Sequence, residues 1–173
     1  IRNENVGHLL EAPYPEVDFR INDTVRTTLP IRDFLAYDDG SVDYSAGINQ
    51  RSGMLAVRYE VSSTVYLKGI SINFTNFTQL GGVIDLMVWK ELEEEPIFKK
   101  EVFIPTKTSL NEFAYFEVDQ NVAIDGSFYI GFTQFTNDFL YVGLDKTYDN
   151  GGEIFFNATG SWVQNETVEG SLM

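Results

Sequence analysis

The chain has 173 residues, 43% of them hydrophobic and 14% aromatic, enough apolar mass for one domain with its own core and too much for a disordered tail. Twenty-six acidic residues against twelve basic ones give a net charge of −14, a surface that repels phosphate backbones and anionic lipid and so argues against nucleic acid and membranes as partners. With no cysteine and a single histidine, His8, disulfides, thiolate zinc sites and multi-histidine metal sites are excluded.

In chain order, residues 1–32 differ in texture from the rest. They hold Pro13, Pro15, Pro30 and His8, with two candidate short strands at Val17–Ile21 and Thr24–Leu29. We read them as an N-terminal extension, a linker or edge strands, and residues 33–173 as the main domain. Strand composition then recurs at Met54–Val61 and at Thr64–Thr75, where Gly69 marks an expected bulge or kink. Val83–Lys90 is an apolar strand ending at Trp89, a residue expected in the core. Ile97–Ile104 alternates, with Ile97, Lys99, Glu101 and Phe103 opposite Phe98, Lys100, Val102 and Ile104. Phe113–Val118 follows; Ser127–Phe135 and Phe139–Leu144 are expected to pair across Thr136-Asn137-Asp138; Glu153–Phe156 and Gly170–Met173 close the series.

Short strands about ten residues apart, punctuated by Gly, Asn, Asp and Pro, predict an all-β, two-sheet antiparallel sandwich, with a jelly-roll-like topology preferred. No apolar run reaches the roughly 18 residues of a membrane span. The chain opens on Ile1-Arg2-Asn3-Glu4 without a signal-peptide pattern and stops at Leu172-Met173, so we expect a mature fragment or an excised domain.

Few residues carry chemistry. A Ser-His-Asp machine would need His8, and no Gly-x-Ser-x-Gly elbow occurs. Glu91, Glu93 and Glu95 would share a face if their segment were a strand, the arrangement of a sandwich glycosidase with two carboxyls about 5 Å apart. They run into Pro96, however, and read better as an exposed hairpin loop. We therefore expect no enzyme, with a glycoside hydrolase as the distant alternative.

Asp38-Asp39-Gly40-Ser41, with Asp43, is the best local site, and Asp145 and Asp149 complete it if the strands meet. Clustered carboxylates, hydroxyls and loop carbonyls suit a structural calcium, the one candidate cofactor. The competing and favoured reading is a turn in which the Asp side chains accept backbone amides and Gly40 supplies a positive φ. Tyr44, Tyr148 and Trp162 lie beside turns and are the candidate ligand-binding residues, because sugar rings stack on flat side chains. For Trp162 a packing role is weighed above a ligand platform. Five Asn-x-Ser/Thr sequons, at Asn22, Asn73, Asn76, Asn157 and Asn165, read as composition rather than glycan sites.

Three blocks, read in order, carry a resemblance: Phe34-Leu35-Ala36-Tyr37-Asp38-Asp39-Gly40-Ser41, then Gly126-Ser127-Phe128-Tyr129-Ile130-Gly131-Phe132, then Gly160-Ser161-Trp162 with Gly170-Ser171-Leu172-Met173. The stretch from about Asp33 to Met173 resembles the β-sandwich domain that precedes the C-terminal sorting domain in substrates of the Bacteroidetes type IX secretion system. The resemblance implies a secreted or cell-surface location and a non-catalytic accessory module of a larger protein. It supplies no catalytic residues. Polysaccharide or a cell-surface glycan is the expected ligand, neighbouring domains of the same polypeptide the expected partners, and a monomer the expected state. The alternative is a purely structural spacer presenting a sorting domain.

Overall fold

The computed structural model describes residues 34–75 and 81–173. The expectations for residues 1–32, including His8, the two short strands and Asn22, lie outside these, as does Asn76.

Among the described residues nine strands follow one another: β1 (Tyr44–Ile48), β2 (Met54–Ile72), β3 (Val83–Trp89), β4 (Phe98–Phe103), β5 (Ala114–Gln134), β6 (Leu140–Asp145), β7 (Ile154–Asn157), β8 (Val163–Gln164) and β9 (Ser171–Leu172). Among the described residues the only helical element is a single 3-10 turn, Gly151–Glu153. The strands form two antiparallel sheets, one of three in the order β1-β6-β9 and one of six in the order β4-β3-β5-β2-β7-β8. The protein is an all-β sandwich.

Alternation decides which side chains meet the core. In β4, Phe98 and Val102 are buried while Lys99, Glu101 and Phe103 face solvent, as the sequence alternation predicts. In β3, Ile84, Leu86 and Val88 join Phe98, Phe128 and Phe132 in the main core, which Leu140, Val142, Leu144 and Leu172 of the smaller sheet also enter. Trp89, one residue past Val88, necessarily points to the opposite face. It is buried, but in a second cluster with Ala56 and Met87, against which Met54, Leu92, Tyr129 and Trp162 pack.

Two expectations need correction. Met54–Val61 and Thr64–Thr75 are one strand of 19 residues to Ile72, and Phe113–Val118 and Ser127–Phe135 are joined in one of 21. The apparent breaks are absorbed where the β2–β5 register shifts, between Val61 and Val65 and between Leu67 and Gly69. Such irregularities bend a ladder without ending it. The expected bulge at Gly69 is there, and Tyr115 lies over this glycine, where a Cβ would overlap its ring.

Ser127–Phe135 and Phe139–Leu144 do not pair. β5 lies between β3 and β2, whereas β6 lies between β1 and β9. The connection crosses between sheets, and Gln134 fixes it there. Its buried Nε2 donates to Ile48 O at 2.8 Å and Gln50 O at 3.0 Å, tying β5 to the end of β1. Two neighbouring apolar strands in sequence look the same whether they pair edge to edge or face each other across a core. β2 also reaches the smaller sheet: beyond Ile72, Phe74 bridges to Val142, and Thr75 N–H donates to Tyr141 O at 3.1 Å.

Candidate functional site

The Asp38–Ser41 segment is a double Asx turn. Asp38 Oδ1 accepts the Gly40 N–H at 3.0 Å and Asp39 Oδ1 accepts the Ser41 N–H at 2.9 Å. Gly40 has φ +93°, the left-handed conformation that favours glycine. The turn is anchored by a residue far away in sequence. Asp145, at the end of β6 and fully buried, accepts the Asp39 N–H and the Thr147 N–H, both at 2.7 Å. Thr147 Oγ1 donates to Asp39 Oδ2 at 3.1 Å, and the Lys146 N–H to Asp43 Oδ2 at 2.8 Å. The approach to β1 and the exit from β6 are thereby clamped together, as the pairing of Tyr44 with Leu144 requires.

Of the five aspartates expected to converge, Asp38, Asp39, Asp43 and Asp145 belong to this clamp. Asp149 does not. Its Oδ1 accepts the Gly151 N–H at 3.0 Å and the Gly170 N–H at 2.9 Å, tying the 3-10 turn to the approach to β9. Among the described residues, no three or more His, Cys, Asp or Glu side chains are grouped so that they could hold a metal ion. The carboxylate oxygens named here meet N–H and O–H donors instead.

The electrostatics divide these acids. Burial pushes the Asp145 carboxyl upward, but the Thr147 and Asp39 amides outweigh it and hold the group below the usual aspartate range. The Gly170 and Gly151 amides hold Asp149 low. Asp38 goes the other way: burial raises it, the Gly40 amide opposes, and the negative charges of Asp145 and Asp39 raise it further.

The candidate aromatics also separate. Tyr44 and Tyr148 are each 65% exposed. Tyr44 pairs with Leu144 at the end of β6, and Tyr148 follows β6 by three residues, so the β1–β6 ladder brings both to the clamp. Trp162 belongs elsewhere, half-buried and edge-on to Trp89 with ring centroids 5.5 Å apart. There it covers the outer-face cluster, the packing role weighed above a ligand platform.

Glu91, Glu93 and Glu95 lie in the exposed turn joining β3 to β4 and not on a strand face. The Glu94 N–H donates to Glu91 O at 3.1 Å, closing this turn. Three sequon asparagines are buried and bonded. Asn73 Nδ2 donates to Leu110 O at 2.9 Å, Asn157 Oδ1 accepts the Gly160 N–H at 2.8 Å, and Asn165 Nδ2 donates to Gly151 O and Val168 O. A glycan is carried on Nδ2, the atom by which buried Asn73 and Asn165 make these bonds, so it would compete with them at both.

Sequence reasoning missed one polar hub. Lys107 Nζ donates to Asn73 Oδ1 and Phe74 O, both at 2.9 Å, and to Leu110 O at 2.8 Å, and burial pulls its amine below the usual lysine range. Nothing local marks it, because two of these partners lie more than thirty residues away.

No protein-family model, no curated protein and no solved structure matches the chain.

Proposed function

We propose that this chain is a non-catalytic accessory module of a larger secreted or cell-surface protein, and that it binds polysaccharide or a cell-surface glycan at the clamp end of the sandwich. The observation that carries the reading is the placement of Tyr44 and Tyr148. Two tyrosines far apart in sequence, each 65% exposed, are brought by β1 and β6 to one end, beside a turn rich in carboxylates and backbone carbonyls. Flat rings with polar neighbours are what a sugar surface engages. The exposed position of Glu91, Glu93 and Glu95 supports the non-catalytic part, since a glycosidase needs its two carboxyls across a cleft. Secretion and the larger parent protein rest on the resemblance of the three sequence blocks.

The test is retention on insoluble polysaccharides and a glycan array. The parent chain should be retained by at least one glycan, and Tyr44→Ala with Tyr148→Ala should lose that retention while keeping the parent melting temperature. Retention unchanged in the double variant, or absent throughout, would sink the reading. The spacer reading would then stand. One observation favours it: Asp38, Asp39, Asp43 and Asp145 already bond the backbone of the chain itself, the behaviour of a rigid entrance. Calcium stays with the binding reading as a proposal. A bound ion raises the melting temperature by mass action, and a chelator reverses the rise.

A further inference from the structure

We infer that the edge of β1 that no described strand pairs with is a docking site for an extended, cationic polypeptide segment, taken up as a further strand of the three-stranded sheet. Among the described residues β1 is an edge strand, bonded to β6 on one side. Ser45 and Gly47 are exposed, and the exposed surface of a glycine is backbone. An edge strand offers a row of amide and carbonyl groups to any chain that can lie alongside, and proteins normally blunt it with charge, brevity or proline. The other edges among the described strands are blunted in this way. β4 carries Lys99, Lys100 and Glu101, and β8 and β9 have two residues each. Where β2 and β5 run beyond their neighbours they carry Arg58, Glu60 and Lys68, and Glu117, Asp119 and Asp125. The five residues of β1 are Tyr-Ser-Ala-Gly-Ile, with no charge and no proline.

Charge selects the occupant. Exposed Asp43 immediately precedes the strand, Asp38 and Asp39 lie just upstream, and the whole chain carries −14. A second copy would bring the same −14 and the same acidic approach to a five-residue edge. A peptide with lysine or arginine gains where a second copy is repelled. Main-chain bonds supply the affinity, and alternate side chains the selectivity. Incoming residues on the face of Ala46 and Ile48, which line the core side, should be apolar. The basic ones belong on the opposite face or beside Asp43. This site shares Tyr44 with the glycan reading but does not rest on it, since that reading uses the ring face of Tyr44 and this one the strand's backbone edge.

The experiment titrates the isotopically labelled chain with the amidated peptide Lys-Val-Lys-Val-Lys-Val and, separately, with its fully N-methylated analogue, which keeps the charge and loses every backbone donor. The parent peptide should give saturable amide shifts and slowed hydrogen exchange confined to residues 44–48, and the analogue none. Ser45→Lys, which places a blunting charge on the strand and gives up only the exposed hydroxyl bond from Thr75, should weaken the parent peptide about tenfold with the β1–β6 amide protection of the free chain retained. Equal shifts from both peptides would mean attraction by charge alone and overturn the proposal. Shifts away from β1, or an unchanged affinity in Ser45→Lys, would overturn it as well. Concentration-dependent protection of residues 44–48 without peptide would make a second copy the occupant and defeat the peptide assignment.

Discussion

Two acidic turns of this protein have similar composition and opposite physical status. Residues 38–43 hold three aspartates and residues 91–95 hold four glutamates. In the first, the side chains replace missing backbone partners: Asp38 and Asp39 accept amides inside the turn, Asp43 accepts one from Lys146, and the buried Asp145 accepts two. In the second, the turn closes through its own backbone, from Glu94 N–H to Glu91 O, and its four glutamates are exposed. Acidic density therefore does not say whether a carboxylate is structural. Reach matters: an aspartate is short enough to meet an amide two residues on, whereas a glutamate extends past it into water.

The largest effect should come from Asp145→Ala. It leaves the part-buried Asp39 and Thr147 amide contacts without their acceptor and empties the buried Asp145 site, and an amide left unpaired costs up to about 1–3 kcal/mol. We expect a loss of about 2–4 kcal/mol in chemical denaturation at pH 7. Because the native carboxyl is held below its ordinary range, its contribution is complete above the unfolded value of about 4 and fades as pH falls toward the native value. The gap between parent and variant should narrow on acidification from pH 5. A gap below about 0.5 kcal/mol at pH 7 would remove Asp145 as the anchor of the clamp.

Asp38→Asn should have a smaller effect of opposite sign. Burial and the neighbouring Asp145 and Asp39 charges raise the native Asp38 carboxyl. Its ionisation is therefore a penalty, absent below the unfolded value and complete once pH exceeds the raised native one. The asparagine keeps an oxygen for the Gly40 N–H and carries no charge. The variant should unfold at a higher denaturant midpoint than the parent at pH 7 and at the same midpoint near pH 3. A lower midpoint at pH 7 would mean that the Asp38 charge is stabilising, as a bound cation would make it.

What sequence could and could not show follows the same physics. The alternation of Phe98 with Lys99, and of Val102 with Glu101, was legible because one face of β4 is wet and the other dry. The Asp-Asp-Gly-Ser turn was legible because its bonds span two residues. β1 was not legible: Tyr-Ser-Ala-Gly-Ile is poor in β-formers, and it is held by Asp145 and by pairing with β6, about a hundred residues away. β8, two residues long, is likewise defined by its pairing with β7. The sheet order was hidden for a related reason. A 21-residue β5 with a bulged ladder looks like two strands, and its apolar successor β6 looks like its partner, until Gln134 is seen bonding the end of β1. At the clamp, sequence named the five aspartates but not the division of labour that sends Asp149 to Gly151 and Gly170.

The smallest effect tests the other turn. Replacing Glu91, Glu93 and Glu95 together by Gln removes three negative charges from exposed positions. The connection is closed by a backbone bond, and Ile97 N–H donates to Val88 O at 2.8 Å where the hairpin begins; neither bond uses a glutamate side chain. Exposed charges away from such features shift stability by about 0.5 kcal/mol or less. Relief of repulsion within a chain of net charge −14 tilts the expected sign toward slight stabilisation. We expect a midpoint at or just above the parent's, converging with it as salt screens the surface. A loss above about 1 kcal/mol, persisting at high salt, would show that these carboxylates hold structure as Asp145 does, and the contrast between the two turns would collapse.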